Sequence, residues 1–170
     1  SDVYKRQIIQ YNNLNPRFDL ARECVSTCTS ALYRVFAART SALEGKVKVI
    51  HLISGGDTGG ARTHVYSLLK YLGQIIDVQL VCFRGGDFAD GAAALGIPTM
   101  VLDGGFVSNL AALKKIIRDG EYDLVHCHGS MANVMGAMLR PGVHVPVIST
   151  VHSDYRLDYL GRPFARAVYG

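Results

Sequence analysis

Glycines and histidines stand where the apolar runs of this chain end. Gly55-Gly56-Asp57-Thr58-Gly59-Gly60 follows the β-branched run at residues 47–53. Glycines let a backbone come close to a ligand. A helix that opens just beyond them offers unpaired N–H groups to an anion. His64 would sit one turn into that helix, as a plain polar-face residue or as a contact to a hydroxyl or phosphate. His126-Cys127-His128 closes a later run, and strand alternation turns its two imidazoles to one face. Such a pair can bind zinc if a third protein ligand joins it, and His152 is the candidate. No carboxylate stands in an obvious supporting position, so the favoured reading has no metal: His128 faces a cleft and His126 packs lower. His152-Ser153-Asp154-Tyr155 follows another apolar run. Its imidazole either caps the strand or stands where the sheet opens, with Asp154 orienting the ring or capping a helix.

These residues need elements to position them. Residues 47–53 have a strand's length and composition, and Val65, Leu68, Leu69 and Leu72 recur at helical spacing. Strands are expected near 78–83, 99–102, 123–127 and 146–151. Helices are expected from 87 to 95, 107 to 118 with Leu110, Leu113, Ile116 and Ile117 inward, and 130 to 139. Pro141 stops the last of these because it lacks the N–H a helix needs. Alternating strands and helices imply an α/β fold, a Rossmann-like doubly wound parallel sheet. Ligands in such sheets bind beyond the carboxyl ends of the strands. That rule gathers segments 54–60, 84–87, 103–105, 128–130 and 152–155 on one rim.

Composition narrows the classes. The chain has 170 residues, 49% hydrophobic and 19% charged, enough for one well-buried domain. Its net charge of +4 suits a phosphorylated ligand, but no basic cluster with interleaved aromatics points to nucleic acid. Of the four cysteines, Cys82 and Cys127 lie in apolar runs and Cys24 and Cys28 share a helical face. Without a C-x-x-C pair or secretory signal, a cytoplasmic location is expected. No apolar run is long enough to span a membrane. The G-x-G-x-x-G fingerprint is absent, and Phe83 and Arg84 stand where its acidic partner would be, which argues against NAD. No Gly-Lys-Ser/Thr follows the loop, which argues against a P-loop.

The first forty-five residues read differently. Residues 1–7 resemble a translated sequencing-adapter peptide and are set apart from the fold. Residues 8–17, with Asn12, Asn13, Asn15 and Pro16, read as loop. Residues 19–39 show a basic amphipathic helical pattern that could lie on an anionic bilayer or simply pack. The expected division is an N-terminal extension over 1–45 and a Rossmann-like domain over 46–170.

Three segments, taken in order, resemble one family. Gly59-Gly60-Ala61-Arg62-Thr63-His64-Val65 is similar to the Gly-Gly-x-x-x-His-Val signature opening the first helix of GT-B retaining glycosyltransferases of family 4. Asp123-Leu124-Val125-His126-Cys127-His128 resembles that family's DhhHxH strand end. Residues 146–154, ending in Thr150-Val151-His152-Ser153-Asp154, resemble its PhhxTxH segment. The resemblance covers about residues 46–169. It implies a two-lobed enzyme that transfers a sugar, with retention, from a nucleotide-sugar donor to a polysaccharide, lipid or small-molecule acceptor. This chain would be the N-terminal, acceptor-side half, truncated at its C-terminus. The C-terminal domain, with the E-x7-E carboxylates, would be a missing partner, so the fragment alone is expected to be inactive.

The resemblance also implies roles. Gly59 and Gly60 amides would bind the donor phosphates, and His152 would sit at the reacting centre. Asp57, His64, His128 and Tyr155 would hold the acceptor. No cofactor or metal is implied, and no nucleophile is assigned. The protein would work in the cytoplasm, with peripheral contact to the inner membrane face open to it. Two other readings stand beside this one: a non-catalytic nucleotide- or phosphate-binding module, and a metal-dependent hydrolase on His126, His128 and His152.

Overall fold

The computed structural model describes residues 9–12 and 46–150. Six strands form one sheet: β1 (Ile9–Asn12), β2 (Lys48–Ile53), β3 (Asp77–Cys82), β4 (Thr99–Val101), β5 (Leu124–His128) and β6 (Val147–Thr150). Four helices are described: α1 (Gly59–Leu72), α2 (Asp87–Ala94), α3 (Phe106–Asp119) and α4 (Gly129–Leu139). The strand order is β1-β6-β5-β2-β3-β4. Strands β2 to β6 run parallel, and β1 pairs antiparallel with β6.

The five parallel strands and the helices between them fall within a few residues of where periodicity places them. The central strands are buried on both faces, which is why they read as continuous apolar runs: all five residues of β5 and five of six in β2 are buried. One face packs Ile53, Leu80 and Cys82 against Val65 and Leu69 of α1 and Phe88, Ala89 and Ala92 of α2. The other packs Ile50, Leu52, Val125, Cys127 and Val147 against Leu113 and Ile117 of α3 and Ala132, Met135 and Leu139 of α4. Helix α4 lies so close that a Cβ on Gly136 would stand 2.5 Å from Cys127 Sγ. It ends in a 3-10 turn, Arg140–Gly142, at the expected proline.

Two expectations need correcting. Residues 8–17 are not all loop, because Ile9–Asn12 form a strand. The turn-forming asparagines begin only at the end of that strand, and pairing with β6 satisfies backbone groups that a loop would leave to water. The inward face of α3 also carries a polar residue. Asn109 is buried and donates from Nδ2 to Leu102 O at 2.9 Å, anchoring the chain after β4. Leu113 and Ile117 are fully inward, and Leu110 and Ile116 only partly.

The chain builds outward from β2 through β3 to β4, then returns to lay β5 and β6 on the other side of β2. The switch point therefore falls between β2 and β5, where a doubly wound sheet opens its ligand crevice. Among the described residues, no helix is long and apolar enough to cross a membrane. The basic pattern at 19–39, Cys24 and Cys28 lie outside the described residues.

Candidate functional site

The loop after β2 is shaped by its neighbour after β3. Gly55 has φ +86°, and a Cβ there would stand 2.3 Å from the backbone oxygen of Arg84. A Cβ on Gly56 would stand 2.1 Å from an Arg84 guanidinium nitrogen. Gly55 is required by the Arg84 backbone, whereas at Gly56 the flexible guanidinium can swing aside. Gly59 and Gly60 differ: both are exposed, and a Cβ on either meets nothing within 4 Å. They open α1, whose N-cap Thr58 makes no side-chain cap and whose first turn has no acidic residue. The space above them is what a ligand phosphate would occupy.

Asp57 is fixed inside this loop. Ser54 Oγ donates to Asp57 Oδ2 and accepts from Gly56 N at 3.2 Å. A Cβ built on Gly129, just past β5, would lie 3.5 Å from Asp57 Oδ1, so the loop reaches across the switch point. Burial, reinforced by the Asp57 charge, pushes the Cys82 thiol up to about 12. Helix α1 is tied to the next rim segment by Arg62, which donates to Asp87 O at 3.0 Å, and by Tyr66, which donates to Phe88 O at 2.6 Å. The segment after β4 lies two strands from β2, at the far edge of the sheet.

Under the crevice lies a cluster of imidazoles. Register sets His51 of β2 opposite His126 of β5, and His128 opposite both Ile53 of β2 and Thr150 of β6. In-register residues of parallel strands share a face. His51, His126 and His128 are all fully buried. His51 Nδ1 and His128 Nε2 share a hydrogen bond of 3.1 Å, and their rings stack 15° apart in plane. His126 Nε2 bonds Thr150 Oγ1 at 2.8 Å. His64, half-buried on α1, places its ring 6.4 Å from that of His128. Burial, with the nearby His128, holds His51 well below the ordinary imidazole range, and burial also lowers His64. His51 is therefore neutral at neutral pH.

The structure thus brings Asp57, Gly59, Gly60, His64 and His128 to the carboxyl end of the sheet. His152, Asp154 and Tyr155 lie outside the described residues; Thr150, two positions before His152, stands level with His128 and Ile53. His128 was expected to face the cleft above a deeper His126, but both rings are fully covered. Sequence reading also missed His51. The available signal was its place in β2, where Val49, His51 and Ile53 alternate toward one face.

Three clustered imidazoles invite a metal, and the ring nitrogens of His51, His126 and His128 lie within 4.8 Å of one another. Tetrahedral zinc at about 2.0–2.1 Å from each ligand needs nitrogens roughly 3.3–3.4 Å apart. The outer limit of 4.8 Å is wider than that ideal, and as the rings stand His51 Nδ1 and His128 Nε2 bond each other while His126 Nε2 bonds Thr150. The cluster reads as a hydrogen-bonded stack.

A doubly wound α/β lobe with a glycine-lined, histidine-floored crevice at its switch point is the class that fold and site define. The model of Glycosyltransferase Family 4 matches residues 58–169, and the chain belongs to that family. Its fold is similar to that of a glycosyltransferase from Rickettsia africae ESF-5, at TM-score 0.58 and 15% identity, covering 66% of this chain and 31% of that one. It is also similar to the apo form of the lipopolysaccharide outer core galactosyltransferase WaaB, at TM-score 0.55 and 15% identity, covering 72% and 37%. A third likeness is to Anabaena HepE in complex with UDP-glucose, at TM-score 0.50 and 22% identity, covering 59% and 28%. The chain spans about a third of the length of these structures. No curated protein matches it.

Proposed function

We propose that this chain supplies the acceptor-side half of a retaining glycosyltransferase that takes a sugar from a nucleotide-sugar donor. The family match across residues 58–169 carries the reading. The open space at Gly59 and Gly60 supports it, since these are the family residues that would meet a diphosphate. The HepE structure, solved with UDP-glucose, makes a uridine nucleotide-sugar the first donor to try.

In this mechanism the bond between the anomeric carbon and the diphosphate breaks, and negative charge grows on the leaving phosphate. The amides at Gly59 and Gly60 stabilise that charge in place, without reorganising at the moment of reaction. His152 stands beside the transferred sugar. Asp57, His64 and Tyr155 hold the acceptor, and His128 forms the floor beneath them. The donor's nucleotide is held mainly by a second lobe, outside this chain.

The test uses the full-length protein with that second lobe. A panel of nucleotide-sugars is offered with polysaccharide, lipid and small-molecule acceptors, and the anomeric configuration of the product is read by NMR. Transfer with retention is expected, with kcat falling sharply in His152→Ala at unchanged stability. A product of inverted configuration, or a His152→Ala variant as active as the parent, would defeat the reading.

A further inference from the structure

The proposed chemistry leaves one cation on the rim without a task. Two arginines among the described residues stand at the carboxyl end of the sheet, Arg62 in the first turn of α1 and Arg84 just after β3. Arg62 is committed: it donates to Asp87 O at 3.0 Å and lies over the Tyr66 ring at 5.3 Å. Arg84 is exposed. Among the described residues no acceptor takes its guanidinium, and none of Asp57, Asp87 and Asp103 forms an ion pair with it. Asp57, in the adjoining loop, accepts from Ser54 Oγ instead.

The root of this side chain is nonetheless fixed. Phe83 N donates to Ile53 O at 3.1 Å, which carries the β2–β3 ladder one residue past the end of β3. The Arg84 carbonyl then packs on Gly55 so closely that no side chain fits between them. From that anchored backbone the side chain folds back over the loop after β2: a Cβ on Gly56 would lie 3.0 Å from Arg84 Cζ. Gly56 is itself exposed. The guanidinium thus rests on the glycine loop, one residue from Asp57, with its donors open to the crevice side of the sheet.

The same loop ends in the uncapped start of α1, whose first turn has no acidic residue and carries partial positive charge. Two positive sources on one loop favour anions over neutral groups. In the proposed function the donor diphosphate takes the helix start at Gly59 and Gly60. Arg84 stands three residues earlier in the loop, beside the acceptor-side Asp57. A planar guanidinium fork matches two oxygens of a phosphate or carboxylate at once.

We propose that Arg84 is a specificity-determining residue that selects an acceptor bearing a phosphate or carboxylate group. The selection rests on the proposed function, since it presumes that this lobe holds an acceptor. Arg84 binds and orients that group and takes no part in bond making.

Binding is tested first, on the 15N-labelled 170-residue chain just below neutral pH, by following the Arg84 Nε–H signal, assigned by Arg84→Gln. Glucose 6-phosphate and glucuronate are expected to move that signal saturably, and glucose is expected to leave it in place. An Arg84 signal that ignores both anions overturns the proposal, whatever the activity of the enzyme. Kinetics on the full-length enzyme then compare matched acceptors: glucose against its 6-phosphate and glucuronate, and diacylglycerol against phosphatidate in phosphatidylcholine vesicles. Transfer to the soluble anions or to phosphatidate tells a free sugar acid from a lipid headgroup. In Arg84→Gln the preference for the anionic member of the pair is expected to fall by about tenfold or more, the worth of one charge-assisted hydrogen bond. Arg84→Lys should recover only part of it, and donor KM should not move. A parent enzyme that prefers the neutral member, or an Arg84→Gln variant that raises donor KM alone, refutes acceptor selection by Arg84. An enzyme that transfers sugar to no acceptor, in a chain whose Arg84 still binds both anions, counts against the proposed function and not against the anion site.

Discussion

Gly55 and Gly60 sit five residues apart and should respond to substitution in opposite ways. At Gly55 the backbone has φ +86°, and a Cβ would lie 2.3 Å from Arg84 O. An L-residue in the left-handed region costs about 1–2 kcal/mol. Forcing a carbon against a backbone oxygen that cannot rotate away adds about 1–3 kcal/mol, as for other overpacked sites. Gly55→Ala should therefore lose about 2–5 kcal/mol. At Gly60 a Cβ meets nothing within 4 Å. Glycine and valine both sit at the poor end of the helix scale, within about 0.5 kcal/mol of each other, so Gly60→Val should leave stability within about that margin. Its cost should appear as lost donor affinity, because the isopropyl group fills the phosphate approach. Urea denaturation of both variants reads the first quantity, and donor KM in the full-length enzyme reads the second. The reasoning fails if Gly55→Ala matches the parent midpoint. It fails equally if Gly60→Val binds donor normally.

Other perturbations test the packing and the imidazole stack. Gly136→Ala should destabilise by about 1–2 kcal/mol, the overpacking cost less what alanine gains over glycine in a helix; adding Cys127→Ala should recover part of that loss in a double-mutant cycle. His51, whose folded pKa is lowered by burial and by His128, binds a proton more readily when unfolded, so its contribution is present above about pH 6.5 and is lost as pH falls. Between pH 7.5 and 5.5 this group should cost the parent about 1.4 kcal/mol that His51→Leu does not lose, and parallel denaturation curves at the two pH values for both proteins would show it; equal losses would refute the burial of a neutral ring. Burial pushes the Cys82 and Cys127 thiols up to about 12, so mass-mapped alkylation at pH 8 should spare both in the native chain and label both in urea.

Much of this architecture is legible in the sequence because periodicity is a local property. The run from β2 through the glycine loop into α1 declares itself, since β-branched residues, glycines and helically spaced leucines follow one another within twenty-five positions. The histidine floor is harder to see. His126 and His128 are visible as an i, i+2 pair, but His51 joins them only across a β2–β5 pairing of residues more than seventy apart, and register is not written in any window. Glycine roles are hidden for the same reason: Gly55 answers to the Arg84 backbone, while Gly59 and Gly60 answer to nothing in the described residues. Asn109 sits at a position where helical spacing asks for an apolar residue. Its partner is a carbonyl that exists only because β4 ends at that point. Strand β1 is masked by the asparagines and proline that follow it.

That last strand has a practical side. Antiparallel pairing of Ile9–Asn12 occupies the outer hydrogen-bonding row of β6, the flank of the sheet away from β4. A chain trimmed at residue 13 would present that row bare, and a bare parallel-sheet border recruits the nearest extended peptide, including another copy of itself. Shortened versions of this lobe should therefore be handled as self-associating material, even though the crevice lies strands away from the cut.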